Sequence, residues 1–115
     1  MKEYVLDANA VLRYFGVSAG QGTDKMRALF NQAERGQARL SMSVVNLGEV
    51  FYALLKHLDE PRALHYVQVL QHAATIVEAD AAQALRAAEI KHKYKLGYAD
   101  SFAASLAITL KATLR

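Results

Sequence analysis

Three carboxylates, Asp7, Glu49 and Asp100, stand where a folding role is hard to assign and a metal-holding role is easy to imagine. Asp7 follows the apolar run Tyr4-Val5-Leu6, where a buried parallel strand would end, and Asn9 and Ala10 then open a helical pattern. Asp100 begins Asp100-Ser101-Phe102-Ala103-Ala104-Ser105-Leu106-Ala107, whose apolar residues recur at helical spacing with the acid in the first turn. Glu49 lies two turns into a third helix. Carboxylates about 4 Å apart repel by roughly 4 kcal/mol at an effective dielectric of 20, so a cluster of three stays ionised when a cation neutralises it. Cysteine is absent and no histidine lies nearby at ligand spacing, which leaves an all-oxygen ligand set. Such sets select Mg2+ or Mn2+, ions that keep waters able to bridge to a phosphate, and the expected chemistry is phosphodiester hydrolysis.

Each acid also has an ordinary alternative. Asp7 could be a turn residue or a cap for the next helix. Glu49 is more than a quarter turn off the apolar stripe of its helix, near Tyr52, Ala53 and Lys56, and could be an exposed surface glutamate. Asp100 suits a helix N-terminus on dipole grounds alone. What joins them is topology, because a strand end and a helix start share one edge of an open α/β sheet, where such folds bind ligands.

Other constellations are weaker. His57, His65, His72 and His92 are scattered, with His65 and His72 seven apart on one expected helix face. Asp80 reads as a helix cap, and Glu78 beside it makes only a nominal acidic pair. The basic run Lys91-His92-Lys93-Tyr94-Lys95 could meet phosphates and stack a base, or it could be a solvated helix end. Arg13, Lys91, Lys93 and Lys95 are the candidate nucleic-acid contacts, and Ser101 is a candidate support for Asp100. No glycine-rich phosphate loop or Ser-His-Asp order is present. Asn9 occupies the place of the second aspartate of an Asp-x-Asp phosphatase, and a receiver-like domain phosphorylated on Asp7 would lack its acidic pair.

The elements that must position these groups alternate. Strands are expected at residues 3–7, 38–41 and 75–78, with a fourth beginning at Ala112-Thr113-Leu114. Helices are expected at 8–16, from Thr23 or Asp24 to Gly36, from a Ser43 cap to Leu58, from Asp59-Glu60-Pro61 to His72, from an Asp80 cap to Lys95, and from Asp100 to Lys111. The third helix shows the stripe Val44, Leu47, Phe51, Leu54 or Leu55, and Leu58, and the fourth shows Leu64, Val67, Val69 and Leu70. Ser18-Ala19-Gly20-Gln21-Gly22 reads as a flexible loop of small residues. The alternation predicts an α/β fold, a three-layer α/β/α sandwich with a short central parallel sheet and right-handed crossovers.

Length and composition agree. The 115 residues suit a single domain, 1–115, and 53% of them are hydrophobic, with one proline and six glycines. No run reaches the roughly 18 to 20 apolar residues that span a bilayer, so a cytoplasmic protein without membrane contact is expected. The net charge of +3 is compatible with a polyanionic partner.

Three segments together resemble the PIN-domain ribonuclease family, and most of all its VapC-type toxins: Tyr4-Val5-Leu6-Asp7-Ala8-Asn9, Ser43-Val44-Val45-Asn46-Leu47-Gly48-Glu49-Val50, and Leu96-Gly97-Tyr98-Ala99-Asp100-Ser101-Phe102-Ala103-Ala104. The resemblance implies a Mg2+- or Mn2+-dependent endoribonuclease acting on RNA, with Asp7, Glu49 and Asp100 holding the metal and Asn9 orienting the first acid or a water. It further implies a cognate antitoxin and a homodimer. Family members usually carry a fourth acid on a later strand, whereas this sequence ends at Arg115 as such a strand begins. The alternative expectation is therefore a catalytically weak module of the same fold that acts through partner binding or dimerisation.

Overall fold

The computed structural model describes residues 1–18, 20 and 23–115. Among them the chain runs β1 (Lys2–Val5), α1 (Ala8–Tyr14), α2 (Thr23–Glu34), β2 (Ala38–Ser43), α3 (Val44–His57), α4 (Glu60–Ala73), β3 (Thr75–Val77), α5 (Ala81–Tyr94), α6 (Tyr98–Leu110) and β4 (Thr113–Leu114). The strands form one parallel sheet in the order β3-β2-β1-β4. Of the expected small-residue loop, Ala19, Gln21 and Gly22 lie outside the described residues.

The strand period of two explains the layers, because successive side chains point to opposite faces of a sheet. Tyr4 and Leu6 join Ala38, Leu40 and Met42 in a core completed by Val11, Leu29, Leu54, Val67 and Leu70, so α1 to α4 cover that face. Val5, between them, belongs to a second core with Ala103, Leu106 and Ala107 of α6. Val5 pairs in register with Ser41, which is also buried. Small residues on both the strand and the helix let α6 lie close against the sheet. A side-chain chain of hydrogen bonds then clamps α5 onto α6: Ser105 Oγ donates to Gln83 Oε1 at 2.7 Å, and Gln83 Nε2 donates to Thr109 Oγ1 at 2.7 Å.

The expected elements are all present, with local corrections. The buried face of α3 is Asn46, Val50 and Leu54, while Leu55 is exposed and Leu47 and Phe51 pack at its margin. The inward stripe is thus rotated toward Glu49. In α4 the buried residues are Ala63, Val67 and Leu70; Leu64 and Val69 face outward. An alanine holds the inward position there, and a hydropathy pattern favours its larger neighbours. Thr23, expected as a cap, is the first residue of α2. Helix α6 begins at Tyr98 rather than Asp100, because Gly97 takes the N-cap position and its carbonyl accepts from the Ser101 amide at 3.0 Å.

Topology fixes where a site can form. After β1 the chain crosses outward to β2 and β3, then returns across the sheet through α5 and α6 to place β4 on the far side of β1. The chain therefore reverses its direction of winding beside β1, and open α/β sheets hold ligands beyond the carboxyl ends of strands at such a reversal. Asp7 follows β1 there, held on one side by its own amide donating to the Arg115 carbonyl at 2.7 Å and on the other by the Leu6 amide donating to Ser41 at 2.8 Å. Helix α6 leads into a parallel strand, so it runs against the strand direction and its first turn, with Asp100, lies at the same edge.

Candidate metal-binding active site

Asp7 stands at the N-cap of α1 with extended backbone (φ −85°, ψ 142°), yet its carboxylate makes no cap hydrogen bond. The Ala10 and Ala8 amides draw its pKa down. Burial, and next the negative charge of Asp100, push that pKa above the ordinary range, and the Arg13 guanidinium opposes them in part. The capping explanation for Asp7 therefore fails on geometry.

Glu49 is partly buried on α3, its Oε1 fully so and without a hydrogen-bond partner among the described residues. Burial and then the charge of Asp100 raise its pKa; the Asn46 side chain offsets this in part, and Asp7 adds a smaller upward push. The surface-glutamate alternative is thereby corrected, since the rotation of the inward stripe carries Glu49 to the edge of the core. Asp100, also partly buried, is the acid that both others sense.

The supporting groups divide. Ser101 is buried and its hydroxyl donates to the Gly97 carbonyl at 2.9 Å, so it shapes the first turn of α6 beneath Asp100. Asn9 is exposed on the first turn of α1. Arg13 lies close enough to Asp7 to stabilise its charge, while Lys91, Lys93 and Lys95 form a separate group at the end of α5. Lys93 Nζ sits over the Tyr94 ring at 5.4 Å.

Asn46 lies in the second of the three resembling segments and has no role legible in the sequence. The side chain is completely buried, and its Nδ2 donates 2.8 Å to the Ala99 carbonyl, tying α3 to the residue before Asp100. Its Oδ1 has no partner among the described residues, one helical turn from Glu49 Oε1, which likewise has none among them. A polar residue one turn before Glu49 on a helix face otherwise apolar was the available signal.

These observations bear on a divalent ion. As the side chains stand, no group of three His, Cys, Asp or Glu among the described residues converges on a common point. The three carboxylates nonetheless repel one another, and a buried carboxylate oxygen lacks a partner. Unpaired buried oxygens are costly and call for a cation or an ordered water. Oxygen donors of this kind suit Mg2+ or Mn2+, and with these two features the residues fit such an ion.

Solved structures of similar fold share this arrangement of elements. One is VapBC2 from Rickettsia felis bound to a DNA fragment from their promoter (TM-score 0.73, 19% identity, covering 97% of this chain and 84% of that one). Others are DNA-bound VapBC from Salmonella typhimurium (0.65, 22%, 93% and 80%) and Mycobacterium tuberculosis VapC20, a Sarcin-Ricin loop cleaving toxin (0.70, 14%, 95% and 84%). At these identities the likeness is one of fold. Against curated protein sequences the chain has no significant match. The family model of the PIN domain, however, matches residues 4–114, spanning all three acidic segments, and the chain belongs to the PIN domain family.

Proposed function

We propose that this chain is a metal-dependent endoribonuclease and the toxin of a toxin–antitoxin pair, with Asp7, Glu49 and Asp100 holding Mg2+ or Mn2+. The observation that carries the reading is the crowding of negative charge at the carboxyl edge of the sheet, which Arg13 offsets only in part: two acids with raised pKa, both sensing Asp100, and one of them with a buried oxygen that has no partner among the described residues. A bound ion would supply Lewis acidity at the scissile phosphate. Asp7 sits at the end of β1, Asp100 on the first turn of α6 and Glu49 on α3, so the acids approach that position from three elements. Asn46, through Ala99, sets the distance between two of those elements. Arg13, whose charge Asp7 senses, would meet a neighbouring phosphate, and Asn9 would orient Asp7 or a water.

The partner proposal draws on the similar structures, which include a toxin–antitoxin complex from Klebsiella pneumoniae as well as the DNA-bound pairs. RNA as substrate is supported by VapC20 and by the chain's net positive charge of +3. A cytoplasmic homodimer of one-domain subunits completes the proposal; no described helix is long and apolar enough to cross a membrane.

The test is cleavage of a mixed RNA pool with added Mn2+ or Mg2+, alongside a chelator control and Asp7→Asn. Cleavage abolished in both controls supports the reading. Cleavage that survives either control contradicts it, and a folded protein that cleaves nothing shifts the role to partner binding without catalysis.

A further inference from the structure

Away from the three acids, the end of α5 and the start of α6 enclose an open groove of about 560 Å3 lined by Ala88, Lys91, His92, Lys95 and Tyr98. Among the described residues no acidic side chain lines it. We propose that this groove is a nucleotide subsite for single-stranded RNA, with Tyr98 stacking on a base and Lys95 and Lys91 meeting the phosphates beside it. The inference rests on the nuclease reading above and extends it to how the strand is held.

The groove is built rather than incidental. Lys95 caps α5 in the left-handed conformation (φ 59°), which turns the chain sharply so that Lys95 and Tyr98 line one groove. Lys91 Nζ donates to the Leu96 carbonyl at 3.1 Å, pinning the short connection from α5 to α6. An ammonium carries three donors, so two remain for a phosphate. Tyr98 is 48% exposed, and its ring meets Phe102 edge-to-face at 5.0 Å (87°), an anchor that sets its orientation at little further entropic cost on binding. Ala88 contributes no bulk where the base would lie.

The ligand class follows from this chemistry. An oriented aromatic ring between two lysines combines base stacking with backbone charge, the pairing by which proteins hold single strands without reading sequence. The groove is near the candidate active site in sequence. Tyr98 and Asp100 share the first turn of α6, about 3 Å apart along the helix axis, and, two residues apart, they point to different sides of it, so the subsite would hold the strand beside the acids rather than over them. Lys93, over the Tyr94 ring, does not line the groove. The basic run is thereby divided into two lysines that hold the strand and one that does not.

Binding of a short fluorescent single-stranded RNA, followed by anisotropy in chelator across a salt series, tests this without requiring cleavage. Lys95→Ala is expected to weaken binding several-fold and to lower the slope of log affinity against log salt by about 0.7, the value for one lost phosphate contact on a single strand. Tyr98→Leu should weaken binding about tenfold or more with the slope unchanged, while Tyr98→Phe restores it, because stacking needs the ring and not the hydroxyl. Arg35→Ala, which removes one exposed positive charge beyond the opposite edge of the sheet, should bind as the parent does. The proposal is overturned if the parent does not bind the RNA, if Tyr98→Leu binds unchanged, or if Arg35→Ala and Lys95→Ala weaken binding equally. Cleavage by the parent with Mn2+, run in parallel, reports separately on the nuclease reading.

Discussion

Asp7 and Asp59 occupy the same local position and meet opposite fates. Both are N-cap residues with extended backbone preceding a helix. Asp59 Oδ1 accepts from the Arg62 amide at 2.9 Å and its Oδ2 from Arg62 Nε at 3.1 Å, and chiefly the amide bond lowers its pKa. Asp80 likewise accepts from the Gln83 amide at 2.8 Å. Asp7 makes no such bond, is partly buried, faces Asp100, and has a raised pKa. One residue type in one backbone setting therefore stabilises a helix in two places and opposes folding in a third. An acid kept ionisable at the expense of stability is what an ion-binding site requires.

Reversing the charge balance at the site should have the largest effect. Asp7→Asn, which keeps the size and shape of the side chain and removes its charge, is expected to lower Mn2+-dependent RNA cleavage by at least a hundredfold, measured as initial rate on the mixed pool. Asp80→Ala should leave the rate near that of the parent while costing about 1 kcal/mol of unfolding free energy, the usual value of a lost cap. Next comes the bridge between α3 and α6. Asn46→Ala removes the bond to Ala99 and should reduce cleavage about tenfold through displacement of Asp100, and lower stability by about 1–3 kcal/mol. Retention of full activity in a folded Asn46→Ala protein would show that the two elements keep their spacing without it.

The smallest effect is a pH dependence of opposite sign at the two kinds of acid. Asp7 and Glu49 have raised pKa values, so the metal-free folded chain binds more protons than the unfolded chain between the ordinary and the raised values. Their contribution favours folding below that window and is lost as pH rises through it. The lowered pKa of Asp59 acts the other way: its contribution is present above the ordinary value and lost as pH falls through the lowered one. Chemical denaturation across the acidic range, with Asp7→Asn and Asp59→Asn beside the parent, separates the two signs.

The contrast also explains what sequence could and could not convey. The order of elements was legible because strand and helix periods switch cleanly, and Ser43, Asp59 and Asp80 cap their helices as their spacing suggests. Asp7 was singled out as a candidate ligand, but its cap alternative stayed open in the sequence, since the same residue in the same place is usually a cap and the tertiary placement of Asp100 is needed to separate the cases. Glu49 looked exposed because Val44, Leu47 and Phe51 suggested a stripe that packing rotates toward the buried Asn46, whose polar side chain a hydropathy pattern counts against burial. The start of α6 shifted because Gly97, a weak capping signal, takes the cap. The two lysines of the groove and Lys93 could not be told apart in the run 91–95 before its helix was folded against Tyr98.

The most direct measurement of the central claim is urea unfolding of the parent chain and Asp7→Asn, each in chelator and in Mn2+. The expected result is a crossover: in chelator the variant is more stable, by on the order of 1 kcal/mol after solvent screening, whereas in Mn2+ the parent gains stability through ion binding and the variant gains little. A variant less stable in chelator, together with a parent indifferent to Mn2+, would show that Asp7 serves the fold and would contradict the assignment of these acids to an ion.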